Sequence, residues 1–567
     1  MNNQWWRQAV IYQVYPKSFQ DTNGDGIGDL QGIIEHLPYI KRLGADAVWL
    51  SPVYCSPQVD NGYDIADYRH VDPMFGSDAD MDELIKQAHH LGLKIIMDLV
   101  ANHTSDQHAW FKQSRQSKDN PYSDYYIWRD PAPDGGVPNN WGSSFGGSAW
   151  TFDDTRGQYY LHYYSPQQPD LNWENPKVRQ AVYDIMRYWV VKGVDGWRLD
   201  VITSISKDQQ FCDRPNPKHL PYVSSGQNNG PRMHEFIAEM NREVFTPLNQ
   251  LSIGEAPDSS SENVLALVAP DQHELNMVIP FEHMKSDVVP GGNGHFDLQP
   301  LDVVYLKGVL SRWQETLASV NAGSALYFEN HDRARIPSRW GDDGKYRYQS
   351  ATAFATALHG LRGTPFVYQG EEIGLTNTKL KLEDYEDVET KGAYHKLVEE
   401  QKVMTKSQFV EAANKVSRDH ARMPIPWNGG EQGGFTTGKP WFALNPSFPQ
   451  INVRNDLESK QSVFEYYQRL IKLRHELGVL TDGAYELIAP EDPHVFGYWR
   501  IDTNQRLLVI ANLSAHEQSI TPYSQAAEET CKIIITNYAD RRSLKEPLRP
   551  YEAMIVGVAN RSSSRNS

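Results

Sequence analysis

Along the first two-thirds of the chain, short apolar runs alternate with segments whose apolar residues recur every three or four positions. The runs at 9–15, 47–50, 94–100, 196–201, 251–254, 275–279, 325–328 and 365–368 have the length and β-branched character of buried strands. Between them, Met81, Leu84, Ile85 and Ala88 share one face of a helix closed by Gly92. Val178, Val182, Ile185, Met186 and Trp189 share one face of another, opened by Asn175 and Pro176. Strand and helix in alternation predict an α/β fold with a parallel sheet. Eight such units favour a closed (β/α)8 TIM barrel over an open sheet.

Two stretches break the rhythm. Residues 104–170 are rich in Trp, Tyr, Gly, Pro and Asn without helical period, too long for a plain loop, and predict a small domain inserted after the third strand. Residues 370–454, after the eighth strand, are charged with helix-like pieces and predict a lid. This divides the chain into a barrel (1–103 and 171–480), the inserted domain, and a tail at 481–567. The tail's alternating runs at 495–501, 507–512, 532–537 and 553–558 predict an antiparallel β-sandwich domain. The Ser-, Arg- and Asn-rich end at 560–567 is expected to fray.

Composition narrows the class of function. A chain of 567 residues, 40% hydrophobic and 11% aromatic, can bury a large core. Its formal charge of −17 argues against nucleic acid and anionic membranes as partners. Cys55, Cys212 and Cys531 are widely spaced, with no disulfide or metal pattern, which fits a reducing cytoplasm. The start, MNNQWWRQAV, has no export signature, and no apolar run approaches the roughly 20 residues of a membrane span.

The strand ends carry the chemistry. The third ends DLVANH, with Asp98 and His103; the fourth is GWRLDV, with Arg198, Asp200 and Val201. The fifth ends IGEA, with Glu255; the seventh ends FENHD, with His331 and Asp332. The loop after the second holds DNGYD, with Asp60 and Tyr63. In a parallel barrel these ends meet on one face. Arg198 and Asp200, two apart on a strand, point the same way, so the guanidinium can keep the carboxylate charged. Taken singly, each residue has a structural reading as a cap or an ion pair. Gathered together, so many carboxylates, histidines and arginines would cost several kcal/mol without a functional reason.

DLVANH, QPDLNW (168–173), GWRLDV, IGEA and FENHD, in this order, resemble the signature segments of the α-amylase family of glycoside hydrolases. QPDLNW is similar to the form in the oligo-1,6-glucosidase and dextran glucosidase branch. The resemblance implies Asp200 as nucleophile, Glu255 as general acid/base and Asp332 as the carboxylate that grips the sugar. It also implies that Asp98, His103 and His331 bind hydroxyls and Tyr63 stacks, with Phe145 and Tyr164 lining the pocket. The branch segment ARTPMQW reads ARMPIPW here, making Arg422 the match for an arginine that pairs with Asp60 and closes the pocket at the chain end. Val201 resembles the selector that favours α-1,6 over α-1,4 bonds.

The run DTNGDGIGD at 21–29 sets oxygen-bearing side chains at alternating positions with glycines between. It reads equally as a polar turn or as a loop for a hard cation. The resemblance implies structural Ca²⁺ on Asp21, Asn23, Asp25, the Ile27 carbonyl and Asp29, with no organic cofactor. The activity implied is retaining, exo-acting hydrolysis of α-1,6-glucosidic bonds in small oligosaccharides by a monomer. Trehalose-6-phosphate hydrolase and sucrose isomerase or transglucosylase share the signatures. A non-catalytic amylase-like scaffold would have lost these carboxylates.

Overall fold

Strands β1 to β8 run Ile11–Val14, Ala47–Leu50, Lys94–Val100, Gly196–Asp200, Leu251–Ala256, Met277–Pro280, Ala325–Leu326 and Thr364–Tyr368. This computed structural model describes residues 4–527 and 531–558, so the stretch at 560–567 lies outside it. The strands pair in the order β6-β5-β4-β3-β2-β1-β8-β7, all parallel. The two end strands, β6 and β7, come against each other and bring the sheet round into a nearly closed barrel. Covered on both faces, β1, β2, β4, β5, β6 and β8 are buried throughout, which is why they read as unbroken apolar runs. Gly196 is required where β4 meets β5, because a Cβ there would lie 2.8 Å from the Leu251 Cβ.

Helix boundaries follow the local chemistry. Pro176–Lys192 begins where the Asn175 side chain accepts the Lys177 N–H and ends at left-handed Gly193. Asp78–His90 begins with a capping box between Ser77 and Asp80. Each presents its predicted apolar face to the barrel.

Within 104–170, Trp128–Arg129, Trp150–Asp153 and Gln158–Leu161 form a three-stranded antiparallel sheet. Beyond β8, the helices Val388–Tyr394 and Lys406–Val416 gather around a small core of Phe296, Tyr385, Leu397 and Phe409. In the tail, β9 to β13 run Ala484–Ile488, Val495–Ile501, Arg506–Asn512, Cys531–Thr536 and Ala553–Val558, antiparallel in the order β9-β10-β11-β13-β12. Among the described residues this is one sheet, not two facing sheets as the sandwich expectation had it. Phe496, Tyr498, Leu507 and Val509 join the barrel's core, while Val495, Trp499, Leu508 and Ile510 pack under Ile520, Tyr523, Leu544 and Leu548. The barrel takes the place of the second sheet.

Candidate active site

Register builds the floor of the site. Asp98 on β3 pairs laterally with Arg198 on β4, and Glu255 lies near the end of β5. Arg198 Nη1 donates to Asp98 at 2.9 Å and Asp200 at 2.7 Å, and its Nη2 meets Glu255 Oε1 at 2.7 Å. Arg198 meets Asp200 as the strand spacing predicts and reaches further, spanning three carboxylates. The two chemically important ones therefore sit within one guanidinium's reach of each other.

Burial pushes Glu255 up to about 7 against the pull of Arg198, with Asp200 and Asp332 adding to the rise. Burial likewise raises Asp200 to about 7 against Arg198, with Asp98 adding. Both carboxyls are thus raised toward neutral pH, so a proton stays available at the floor of the pocket. Val201, directly after Asp200, adopts a left-handed backbone at φ 36°, costly for a β-branched residue, and its N–H donates to Glu255 Oε2 at 2.9 Å.

The β7 end supplies the opposite wall. Gln13 donates to His331 Nδ1 at 2.8 Å, which leaves the ring proton on Nε2. That nitrogen lies 2.8 Å from the Tyr63 hydroxyl and 3.1 Å from Asp332, while Tyr63 donates to Asp98 at 3.0 Å. Burial lowers His331 to about 3, so it stays neutral. Burial pushes Asp332 up, but His331, Arg418 and Arg422 outweigh it and hold the carboxyl well below its usual range. Tyr63 stacks on His331 with centroids 5.3 Å apart. Asp64 accepts the N–H groups of Val59 and Asp60 and so folds the loop that carries Asp60 and Tyr63.

These groups surround a cavity of about 490 Å³, which Asp60, His103, Phe145, Tyr164, Val201 and Asp332 help to line. Tyr164 packs between His103 and Phe145. Asp98 and Arg198 lie beneath it. Arg422 is placed differently from expectation: it pairs with Asp332 at 2.8 Å and Asp387 at 3.3 Å, behind the wall. The cation beside Asp60 is Arg418, at 3.7 Å, which also meets Asp332 at 3.2 Å. Arg418 precedes Arg422 by one helical turn, so the two can project side by side.

Lys207 was not singled out from the sequence, and Asn102, Gln168 and Asp170 were read there only as members of their motifs. Lys207 is buried, meets Asp170 at 3.1 Å and donates to Asn102 at 2.5 Å, while Asn102 donates to Asp170. This ties the end of the inserted segment to β3 and to the β4 loop. Gln168 donates to Asp60 at 3.1 Å.

The loop at 21–29 stands apart from the pocket. Asp21 accepts the N–H groups of Asn23, Gly24 and Gly26, Asn23 that of Asp25, and Asp25 that of Ile27. Asp29 caps the helix Leu30–Leu43 by accepting the Gly32 N–H. Among the described residues no three His, Cys, Asp or Glu side chains converge as a metal site. The donor set is all oxygen, the kind a hard cation takes, but Asp21 also accepts the Thr436 hydroxyl and Asp29 the N–H and hydroxyl of Thr22, so the loop's own hydrogen bonds engage most of its carboxylate lone pairs.

A profile of the alpha-amylase catalytic domain matches residues 13–483. The oligo-1,6-glucosidase of Heyndrickxia coagulans is 54% identical over 554 residues, covering 97% of this chain and 99% of the relative. The crystal structure of Bacillus licheniformis trehalose-6-phosphate hydrolase superposes with a TM-score of 0.91 at 44% identity, covering 98% of this chain and 100% of that one. The isomaltulose synthase of Erwinia rhapontici NX5 does so with a TM-score of 0.93 at 39% identity, covering 98% and 99%. With its signature segments converging on one pocket and a catalytic-domain match across most of its length, the chain belongs to the α-amylase family.

Proposed function

We propose that this protein is a retaining, exo-acting α-glucosidase that hydrolyses α-1,6-glucosidic bonds at the non-reducing end of isomalto-oligosaccharides. The observation that carries the reading is Arg198 gripping Asp200 and Glu255 at the floor of the pocket. Retention needs two carboxyls roughly 5 Å apart. Asp200 attacks the anomeric carbon while Glu255 gives its proton to the glycosidic oxygen, so the C–O bond breaks and a glucosyl ester forms. Glu255, now a carboxylate, takes a proton from water, which attacks the same carbon and frees Asp200. Placing the glycosidic oxygen against Glu255 and the developing oxocarbenium against Asp200 selects the protonation state the reaction needs. Asp332, held ionised, binds sugar hydroxyls.

On the far wall, Asp60 Oδ1 is buried without a hydrogen-bond partner and faces Arg418. That acceptor suits a terminal sugar hydroxyl, and a wall there limits cleavage to one glucose at a time. A panel of isomaltose, panose, maltose, sucrose, trehalose and trehalose-6-phosphate tests the assignment, with isomaltose turned over best and free glucose as the product. Faster maltose cleavage, or isomerised sucrose as the main product, contradicts it.

A second reading has one observation behind it. Lys285 and Arg333 line the same pocket, and among the described residues neither makes a salt bridge. Paired cations there suit a phosphate on the leaving sugar. Preference for trehalose-6-phosphate over isomaltose decides for that alternative.

Ca²⁺ on the 21–29 loop is proposed as a stabiliser: a chelator lowers Tm while the initial rate on folded protein holds. Loss of rate at unchanged Tm refutes that role. We propose a cytoplasmic monomer; three unpaired cysteines fit a reducing compartment. No helix among the described residues is long and apolar enough to cross a membrane.

A further inference from the structure

At the end of the barrel opposite the pocket, where β1, β6, β7 and β8 begin, arginines gather around a cavity of about 80 Å³. Arg7 and Arg362 both line it, and both donate to the single amide oxygen of Asn321, at 2.7 and 2.6 Å. A neutral oxygen shared by two guanidiniums hydrogen-bonds to both without cancelling either charge.

Two more cations lie behind them. Arg500 is buried and, among the described residues, donates only to the carbonyls of Val479 and Leu480 and to Gln314 Oε1. Among the described residues, buried Arg474 donates only to the carbonyls of His359, Leu361 and Gly363, with its Nε unpartnered. Each arginine feels the next, in the series Arg7, Arg362, Arg500, Arg474. Burial first, then this repulsion, lowers Arg474 to about 9 and Arg500 to about 10, so both stay charged at neutral pH.

The acids facing the group are few. Asp482 reaches Arg7 at 3.2 Å with 61% of its side chain exposed, and Asp46 already binds His475 and the Val10 N–H. Tyr485 and Tyr498 face Arg500 with their protons on, both raised by burial. In a chain of net charge −17, this end is left with unneutralised buried positive charge.

We propose that this cavity binds a small free oxyanion of the phosphate or sulfate class, which supplies the missing counter-charge and braces the barrel's closed end. Planar guanidinium forks from Arg7 and Arg362 suit the oxygens of such an ion. The cavity is small and, among the described residues, only these two cations stand on its wall, which favours a compact inorganic ion over a sugar phosphate.

The test is thermal unfolding of the full chain in inorganic phosphate and in chloride at matched ionic strength, beside Asn321→Asp and Arg362→Gln. Asn321 has φ 57°, a conformation aspartate tolerates, so Asn321→Asp places a carboxylate where the cations meet. The native protein should show a saturable phosphate-specific rise in Tm, the signature of a ligand binding the folded state. Asn321→Asp should melt higher than native in chloride, lose most of its response to phosphate, and keep native kcat/KM. Arg362→Gln should lose the response; should it fail to fold, Asn321→Asp still decides. Glucose 6-phosphate at equal concentration should give no shift beyond its free phosphate. An equal phosphate response in native protein and Asn321→Asp reports only the general stabilising effect of the salt and overturns the proposal. So does a native protein with no phosphate-specific shift.

Discussion

At the scale of single residues, the site is unstable by construction. Asp60, Asp98, Asp200 and Glu255 are all pushed up by burial, to between about 6 and about 7. A carboxyl whose folded pKa exceeds its unfolded value binds more protons in the native state, so its contribution is complete below the unfolded value and is lost as pH rises to the folded one. For Glu255 that window runs from 4.5 to about 7. Glu255→Gln should therefore be more stable than native protein at pH 8, on the order of 3 kcal/mol, with little difference at pH 4. Denaturant melts at the two pH values check this, and an equal effect at both contradicts the buried-proton account. Val201 makes a different prediction. Its side chain sits on the pocket wall, and one or two methyl groups there shift selectivity by roughly 1 to 3 kcal/mol. Val201→Ala should move the isomaltose-to-maltose ratio of kcat/KM toward maltose by about tenfold; an unchanged ratio removes the selector role.

Among elements, the strands were the most legible in the sequence and the side-chain partners the least. Runs such as 94–100 and 47–50 are buried on both faces, so apolar character alone marked them. β9 was missed because it is a short edge strand with no fully buried residue, so its alternation of Tyr485 and Leu487 with Ala484 and Glu486 is too weak to stand out. Strand spacing put Arg198 beside Asp200, but the same guanidinium's reach to Glu255 depends on the β4–β5 register and the Glu255 rotamer. Arg418 and Arg422 lie four residues apart, and no pattern in one sequence says which faces Asp60. Lys207 was passed over because its partners, Asn102 and Asp170, are distant in sequence and meet only in the fold. That buried pair joins three elements. Lys207→Met should leave Asp170 charged and unpaired and cost about 3 to 5 kcal/mol. Chemical denaturation and proteolysis within 104–170 measure it, and a variant as stable and protease-resistant as native protein contradicts the tie.

For the whole molecule, the tail sheet completes the barrel's surface. Lys307, fully buried on the helix Val303–Ser319, donates to the carbonyls of Ala489, Asp492 and Val495, all from the tail. Tyr498 reaches across to the Ala357 carbonyl at 2.7 Å. A chain ending at 483 would strand that ammonium and bare the apolar side of the helix Arg347–His359. It should lose cooperative unfolding and aggregate, although the catalytic-domain match ends at that residue. A monomeric, active 1–483 protein would show the tail to be dispensable.

The central claim is that Asp200 forms a covalent bond to glucose while Glu255 handles the proton. Its most direct test is peptide mapping by mass spectrometry after reaction with a fluorinated α-glucosyl fluoride that slows breakdown of the glucosyl-enzyme. The account predicts one glucosyl adduct, on the peptide and side chain of Asp200, absent in Asp200→Asn. An adduct on Glu255, or full turnover by Asp200→Asn, contradicts it.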